Sequence, residues 1–290
     1  MSAARPERFD RIAGALPEAG RLAPADEVAF DTVEPARQGF VDRDGVKLWW
    51  ALWGQKGPFL AFAPPFQIVH AELLKGVVPW LSQHFRVITM DGRGNGRSDR
   101  PQGQQHYALD LYVRDFQAVL DAAGADRAAL VGISAAAMTV LRTAAEQPQR
   151  VTHVVTAGGF AQSLLTDAKL AARVDAEFAY MANDWPGYID LFMQQIFNEP
   201  HSSKPYEDGV RFGWATSGEV LAWCYRGWLG NDVREQAKQV RCPTLVMHGD
   251  QDKRVLYARG QEIHDLVPGA RLLTVAGGGH VTAVRDPVLF

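Results

Sequence analysis

Apolar residues occur in short unbroken runs along the chain, and segments with a helical pattern separate most of these runs. The runs lie at 58–65, 85–91, 128–134, 151–157, 243–250 and 271–279. The helical patterns lie at 107–125, 135–147 and 256–270. Continuous apolar runs are typical of strands that are covered on both faces. Strands that alternate with helices predict a mostly parallel sheet with helices packed on both sides.

A β-hairpin is predicted before these runs. The stretches "ARQGFV" and "VKLWWALWG" flank "DRDG", whose Asp-Gly pair is a strong signal for a tight turn between two strands. The hairpin brings the number of predicted strands to eight. Residues 37–160 and 241–290 are therefore predicted to form one α/β core. Residues 1–36, rich in Ala, Pro and charge, are predicted to form an N-terminal extension.

The alternation of strands and helices stops between about 161 and 240, where the pattern is helical throughout. Twelve of the chain's 29 aromatic residues lie in the segment 178–228. Most are expected to form the core of a helical insertion, and some to face the carboxyl edge of the sheet, where ligands bind in open α/β sheets. We interpret residues 161–240 as a helical cap that selects the substrate, with Trp185, Phe192 and Trp214 as candidate substrate-binding residues.

The composition narrows the classes of partner. The formal net charge is −3, which argues against a nucleic-acid partner and against a polybasic membrane-binding surface. The charged N-terminus lacks the apolar core of a signal peptide, and no window holds the roughly 18 uninterrupted apolar residues of a membrane span. We therefore expect a cytoplasmic protein that acts on a small molecule, with no nucleic acid and no membrane as partner.

Neither a metal nor another cofactor is predicted. Cys224 and Cys242 match neither a disulfide framework nor a zinc-ligand spacing, so both are expected to be reduced thiols. The stretch "EPHSSK" (199–204) has one His and no second metal ligand at a useful spacing. The stretch "GRGNGRS" (92–98) lacks the pattern of a phosphate-binding P-loop, so its glycines are interpreted as turn residues and Arg93 as a structural charge.

The candidate chemistry begins at Ser134, in "ALVGISAAAMTVL" (129–141), where a buried strand meets a helix. A serine at such a turn acts as a nucleophile when a base reaches its Oγ, and otherwise caps the helix with its side chain. A turn tight enough to expose Oγ requires small residues two positions before and after the serine. Gly132 and Ala136 occupy these positions. The pattern G-x-S-x-A alone leaves both roles open.

Two carboxylates and a histidine follow later strands. Asp250 and Asp252 lie just past the strand in "LVMHGDQDKRV", and His280 lies just past the next strand, in "VAGGGHVTAV". Serine, acid and histidine thus all fall at the carboxyl ends of strands, in the chain order expected for a serine triad on this kind of sheet. The order favours Ser134 as a nucleophile. His248, inside its strand, is interpreted as a packing residue.

Further motifs make the chain resemble the α/β-hydrolase fold family over about residues 37–290. The stretch "MDGRGNGRSDRP" (90–101) is similar to the D-x-R-G-x-G-x-S-D-x-P turn after the fourth strand of that family, and "GGGHVTAVRDPVLF" resembles its histidine loop. The stretches "PPFQIVHAELL" and "FNEPHSSKPYEDG" further resemble a bacterial branch that also occurs fused to cyclase or regulatory domains. The resemblance implies an eight-stranded, mostly parallel sheet with helices on both faces and a helical cap insertion.

The resemblance also implies roles for individual residues. It makes Ser134 the nucleophile and His280 the general base and then the general acid. The acid that orients the histidine falls at the fourth position from the Gly in "HGDQD", which is Asp252, with Asp250 as the alternative.

An oxyanion hole is implied by the same resemblance. One donor is the backbone N–H of Ala135, and the other comes from the turn after the third strand. Residues 64–66 of that turn are Pro-Pro-Phe, and because proline has no N–H, the second donor is assigned to Phe66. Ile133, next to the serine, and His70, shortly after the turn, are further candidate substrate-binding residues, with a structural role as the favoured alternative for His70.

These features predict a carboxylesterase-like serine hydrolase that cleaves an ester, thioester or related acyl bond of a small apolar or aromatic substrate through an acyl-enzyme. Three alternatives stay open: a carbon–carbon bond hydrolase with the same triad, a cofactor-free lyase or oxygenase in which His280 is the base, and a non-catalytic ligand-binding or sensor module. The chain stops at "RDPVLF", where the family continues into a final helix. Three explanations stay open: a trimmed chain, a downstream domain that was removed, or a final helix that is absent. A missing helix would leave apolar surface to be covered by the N-terminal extension or by a second subunit of a homodimer.

Overall fold

The sheet follows the predicted series of apolar runs. The computed structural model describes residues 33–163, 168–199, 202–287 and 289–290. In the helix Ala168–Asn183, side chains are described from residue 175 onward. Residues 1–32 of the predicted N-terminal extension therefore lie outside the described residues. The strands in this part of the chain are β1 (Arg37–Arg43), β2 (Val46–Trp53), β3 (Phe59–Phe62), β4 (Arg86–Met90), β5 (Ala128–Ile133), β6 (Val151–Ala157), β7 (Thr244–Gly249) and β8 (Arg271–Val275).

All eight strands form one sheet in the order β1-β2-β4-β3-β5-β6-β7-β8. β2 pairs antiparallel with β1 and β4, and every other pair is parallel. The β1–β2 hairpin turns at Asp44 and Gly45, which both have positive φ, as the Asp-Gly signal predicts. β5 lies between β3 and β6, so the residue that follows β5 lies at the middle of the sheet's carboxyl edge. The predicted eight-stranded, mostly parallel sheet is confirmed.

Helices cover both faces of the sheet. Their bounds are α1 (Val78–Leu81), α2 (Leu109–Ala123), α3 (Ala136–Glu146), α4 (Ala168–Asn183), α5 (Trp185–Ile196), α6 (Ser203–Gly213), α7 (Gly218–Trp228), α8 (Arg234–Ala237), α9 (Tyr257–Leu266) and α10 (Thr282–Arg285). Short 3₁₀ helices lie at Ala71–Leu74 and Gln104–His106. No helix in the described ranges has the length and apolar character needed to cross a bilayer.

The core consists of two apolar layers, one on each face of the sheet. Along β3, Phe59 and Ala61 belong to one buried cluster, and Leu60 and Phe62 belong to the other. The first cluster includes the buried sides of α2, α3 and α9, and the second includes residues of α1, α5 and α6. Because successive strand residues point to opposite faces, a run that is apolar at every position can serve both layers.

The turn after β4 is fixed by a buried ion pair. Arg93 donates two hydrogen bonds to the carboxylate of Asp115 on α2, from Nε at 2.6 Å and from Nη2 at 2.7 Å. Both side chains are almost fully buried. Arg93 is therefore the structural charge that the sequence predicts, and the glycines around it permit the tight turn, with positive φ at Gly94 and Gly96.

The segment between β6 and β7 holds the helices α4 to α8. Within its described residues, extended pairing is limited to one isolated bridge, between Gln162 and Asp232. Aromatic side chains of these helices pack on one another, as Trp185 does on Tyr188. They also join a buried cluster that contains Ile133 of β5, so this helical segment shares one apolar layer with the strand that leads to Ser134.

Candidate active site

Ser134 lies on a strained turn between β5 and α3. Its φ is +56°, a left-handed conformation that a residue with a Cβ rarely adopts, and its backbone N–H donates to the Ala157 carbonyl at 2.9 Å. A Cβ added to Gly132 would lie 2.6 Å from the carbonyl oxygen of Ala136, so only glycine fits at that position. The turn has the form that a nucleophile elbow requires, with Ala136 as the small residue after the serine.

His280 lies between Ser134 and Asp252. Its Nε2 is 2.9 Å from Ser134 Oγ, and its Nδ1 is 2.8 Å from Asp252 Oδ2. An ionised carboxylate can only accept a hydrogen bond, so Nδ1 carries a proton and neutral His280 presents Nε2 as an acceptor to the serine hydroxyl. His280 and Asp252 are both buried, which shields this chain of hydrogen bonds from water.

Two glycines permit the close approach of the histidine loop. Gly158, directly after β6, has a φ of +59°, and a Cβ there would lie 2.5 Å from the carbonyl oxygen of His280. A Cβ on Gly249, the last residue of β7, would overlap the carbonyl groups of Gly278 and Gly279. Larger residues at these strand ends would push the loop, and His280 with it, away from Ser134.

Asp252, rather than Asp250, reaches the histidine. The Oδ1 atom of Asp252 accepts the N–H groups of Arg254 and Val255, each at 2.8 Å, which fixes the carboxylate from behind. Asp250 is turned the other way, and its Oδ1 accepts the N–H of Gly277 at 2.8 Å. The structure thus favours the first of the two acids that the sequence leaves open.

A second histidine contacts the same carboxylate. His248 Nε2 is 2.9 Å from the carbonyl oxygen of Val255 and 3.2 Å from Asp252 Oδ2. The interpretation of His248 as a packing residue is therefore incomplete, because a carbonyl and a carboxylate both accept from its Nε2–H. Burial alone would raise the pKa of Asp252, but the hydrogen bonds from His248 and His280 outweigh it and hold that pKa well below its usual range.

The two predicted oxyanion donors lie beside Ser134. Ala135 begins the first turn of α3, and Phe66 follows the proline pair after β3. Among the residues that the structure describes, neither amide N–H donates to a protein acceptor. Both residues line a cavity that also contains Ser134. The arrangement leaves the two N–H groups available to a negatively charged oxygen, and their role as an oxyanion hole stays a prediction.

Two cavities meet at Ser134. The first has an empty volume of about 490 Å³, including its opening to solvent, and its lining combines aromatic residues with Ser163 and Arg254. The second has an empty volume of about 360 Å³ and, apart from Ser134 and His280, an apolar lining that includes Leu73 and Ile196. A substrate with its reacting carbon at Ser134 could therefore place one part in each cavity.

The candidate substrate-binding residues divide into two groups. Phe192 lines both cavities, and Ile133 lines the second. The other three candidates, His70, Trp185 and Trp214, line neither cavity. The structure thus brings only part of the predicted set to Ser134.

Local contacts explain the positions of those three residues. His70 accepts the N–H of Glu72 at the start of a 3₁₀ helix and packs on the Phe212 ring, and burial lowers its pKa. Trp185 stacks on Tyr188 within the cap. Trp214, at the end of α6, is 58% exposed. Helix capping, aromatic packing and solvent exposure therefore hold these side chains away from the serine.

Two polar residues near the site are missed by the sequence analysis. Arg254 lines the first cavity and donates to Gln195 and Tyr225. Glu199, only 5% exposed, accepts the N–H of Gly279 at 2.7 Å, one residue before His280. Their spacing gives no signal for these roles, because each contact joins positions 29 to 80 residues apart in the chain. No cluster of three or more metal-ligating side chains is present in the described ranges.

Comparisons with known proteins agree with the fold described above. The sequence model of the alpha/beta hydrolase fold matches residues 70–287. A relative from Caulobacter sp. strain K31, provisionally named carbamate hydrolase RutD, is 28% identical over 225 residues, which cover 72% of this chain and 79% of the relative. The 2-hydroxymuconate semialdehyde hydrolase of Pseudomonas sp. strain CF600 is 27% identical, covering 74% and 76%. The crystal structure of a hydrolase from Pseudomonas aeruginosa PA01 superposes with a TM-score of 0.78 at 27% identity, covering 88% and 96%.

Proposed function

Because the chain belongs to the α/β-hydrolase fold family, we propose that it is a serine hydrolase that cleaves an ester, thioester or related acyl bond of a small apolar or aromatic substrate. The names of its relatives support hydrolysis as the type of reaction. One observation carries the proposal: the unbroken path of hydrogen bonds from Ser134 Oγ through the His280 ring to the Asp252 carboxylate, at 2.9 and 2.8 Å.

The proposed reaction starts at the serine. Ser134 Oγ attacks the carbonyl carbon while His280 Nε2 takes the hydroxyl proton, and the Asp252 carboxylate stabilises the resulting imidazolium. The carbonyl oxygen becomes an oxyanion, which the N–H groups of Ala135 and Phe66 stabilise. His280 then gives its proton to the leaving group, and the acyl-enzyme forms.

The acyl-enzyme is resolved by water. His280, neutral again, takes a proton from a water molecule as the water attacks the acyl carbon, and the second oxyanion uses the same two amides. Collapse of this intermediate returns the proton to Ser134 Oγ and releases the acid. The same histidine thus acts once as a base and once as an acid in each half of the reaction.

A fluorophosphonate probe tests for an activated serine without any knowledge of the substrate. We expect one adduct by intact mass on the wild-type protein and no adduct on Ser134→Ala or His280→Ala, because attack needs both the nucleophile and its base. Folding of the variants is checked by circular dichroism. Absence of an adduct on folded wild-type protein, or an adduct that survives in Ser134→Ala, would overturn the proposal.

A carbon–carbon bond hydrolase with the same three residues is the second candidate. It is favoured by the similarity to a relative that is named as the hydrolase of a semialdehyde rather than of an ester. Both candidates predict the fluorophosphonate adduct, so substrates must separate them. Turnover of a vinylogous diketone, with little activity on nitrophenyl esters of similar size, would favour this second function.

A further inference from the structure

Arg254 brings a positive charge to the wall of the first cavity. Its Nη1 donates to Gln195 Oε1 at 3.0 Å, and its Nη2 donates to the Tyr225 hydroxyl at 2.6 Å. Its guanidinium carbon also lies 4.4 Å from the centre of the Phe192 ring. All three partners belong to the cap helices α5 and α7, and all three are uncharged.

The charge of Arg254 is not paired directly with an anion: burial alone would lower the pKa of Arg254, but its polar neighbours, Glu177 among them, outweigh burial and raise that pKa. Among the described residues, none of the hydrogen bonds of its guanidinium goes to a carboxylate. Two phenol groups connect Arg254 to the carboxylate of Glu177: the Tyr225 hydroxyl, which accepts from Arg254, lies 3.3 Å from the Tyr188 hydroxyl, and Tyr188 donates to Glu177 at 2.7 Å. A guanidinium has five N–H groups, so three of them find no acceptor in the described part of the chain.

This arrangement fits an anionic group on the ligand. The guanidinium hydrogen-bonds only to neutral groups in a mostly apolar cavity, and a carboxylate that enters the cavity would supply a directly paired charge. The guanidinium fork matches a carboxylate in two parallel hydrogen bonds. Aromatic residues, Phe66, Phe160 and Trp228, line the same cavity as Arg254 and Ser134.

We infer that Arg254 binds a carboxylate of the substrate. The substrate would then be an acyl compound that carries a carboxylate on one side of the scissile bond, in the first cavity, and an apolar group on the other side, in the second. The position of the scissile bond rests on the proposed function of Ser134, whereas the carboxylate site itself does not.

Two pairs of esters test this substrate class. The first pair, mono-4-nitrophenyl adipate and 4-nitrophenyl hexanoate, places the charge in the acyl part. The second pair, 4-hexanoyloxybenzoate and 4-hexanoyloxybenzamide, places it in the alcohol part. We expect wild-type protein to favour the anionic member of at least one pair by about tenfold or more in kcat/KM, mainly through KM.

Variants identify the residue responsible. Arg254→Gln is expected to lose the preference, and Arg254→Lys to keep part of it, because lysine retains the charge but not the fork. Lys253→Gln is the matched control, since it removes the same charge from the neighbouring exposed position. Equal rates on both members of both pairs in wild-type protein, or a preference that Arg254→Gln retains, would overturn the inference.

A binding measurement separates this inference from the proposed reaction. Phenylacetate and phenylacetamide are titrated calorimetrically into wild-type, Arg254→Gln and Ser134→Ala protein. Tighter binding of phenylacetate that is lost only in Arg254→Gln supports the carboxylate site even if the fluorophosphonate probe labels nothing and the proposed reaction fails. Equal binding of the two compounds to wild-type protein that does react with the probe contradicts the carboxylate site and leaves the serine hydrolase standing.

Discussion

Asp252 is placed to serve both the proposed catalysis and the stability of the fold. Four donors converge on it: two backbone N–H groups on Oδ1, and the rings of His248 and His280 on Oδ2. These hydrogen bonds stabilise the ionised form, so the carboxylate stays charged while His280 gains and loses a proton in the proposed reaction. A neutral group in its place would no longer stabilise the imidazolium of His280. It would also no longer hold that ring in the tautomer that carries its proton on Nδ1.

The variant Asp252→Asn is therefore expected to lower kcat by about 10⁴-fold, the effect known for the equivalent change in a serine protease. Asp250→Asn, at the other acid of the same loop, is the control and should change kcat little. The measurement is steady-state kinetics on whichever ester the wild-type protein turns over. A loss of similar size in the Asp250 variant would contradict this assignment of the acid.

The same variant should also change how stability depends on pH. The pKa of Asp252 is lower in the folded protein than in the unfolded chain, so its stabilising contribution is present above the unfolded value of about 3.9 and is lost as the pH falls below it. Asp252→Asn is expected to unfold more easily than wild type at neutral pH. The difference between the two free energies of unfolding should shrink towards acidic pH in urea titrations.

The positions of individual site residues were predictable from the sequence to different degrees. Ser134 and His280 stand out because each directly follows a buried strand, and parallel strands bring their carboxyl ends to one edge. The contact of His248 with Asp252 was not predictable in the same way. It depends on the side of β7 towards which the loop after that strand folds back. Arg254 has one apolar neighbour and one charged neighbour, so nothing local indicates whether its side chain reaches solvent or the cavity.

At the scale of elements, the central strands were predictable because they are covered on both faces. The run 128–134 corresponds to β5 (Ala128–Ile133), and the run 151–157 to β6 (Val151–Ala157). Amphipathic patterns similarly located α2 and α3. The helical pattern of the cap did not determine which of its aromatic residues face Ser134, because the helices also pack on one another. Phe192 lines the cavities while Trp214 is exposed.

The segment after α5 is positioned to hold the histidine loop in place. Glu199 accepts the N–H of Gly279 at 2.7 Å, and a Cβ on Gly279 would lie 2.6 Å from the Glu199 carboxyl carbon, so this contact requires glycine. Arg285, on α10, has its Nε 4.0 Å from the same carboxylate. The segment thus links the cap to the loop that carries His280, without contact to a reacting atom.

Glu199→Ala is expected to lower kcat by about tenfold or more with little change in KM, since an unpaired Gly279 N–H leaves His280 poorly positioned while the substrate cavities keep their lining. Glu199→Gln should restore much of the activity, because its amide oxygen can accept the same hydrogen bond. Kinetics on a turned-over ester, with melting temperatures for both variants, measure this. A rise in KM with kcat unchanged, or no recovery of activity in Glu199→Gln, would show that Glu199 does not position the loop.

At the scale of the whole molecule, one site draws on both the sheet and the cap. The sheet supplies Ser134, Asp252 and His280, and the cap supplies Phe192 and Tyr225. The buried cluster beneath the site is likewise shared, since it joins strand residues of β3 and β5 with residues of α5, α6 and α7. A cap that packs on the sheet in this way is expected to unfold together with it rather than as a separate unit.

Leu221 tests this coupling. It is fully buried on α7 within the shared cluster, so Leu221→Ala should lower the free energy of unfolding by about 2–5 kcal/mol through lost apolar contacts and an unfilled cavity. The cap and the α/β core each contain four of the chain's eight tryptophans, so fluorescence reports on both. Circular dichroism reports on the helices and strands. In urea, both signals should shift to the same lower midpoint.

Leu191→Ala, which changes a 43% exposed leucine on α5, is the control and should leave both midpoints nearly unchanged. Two separate transitions in the Leu221 variant would mean that the cap can unfold while the sheet stays intact, and that Ser134, Asp252 and His280 can remain in place without the cap above them.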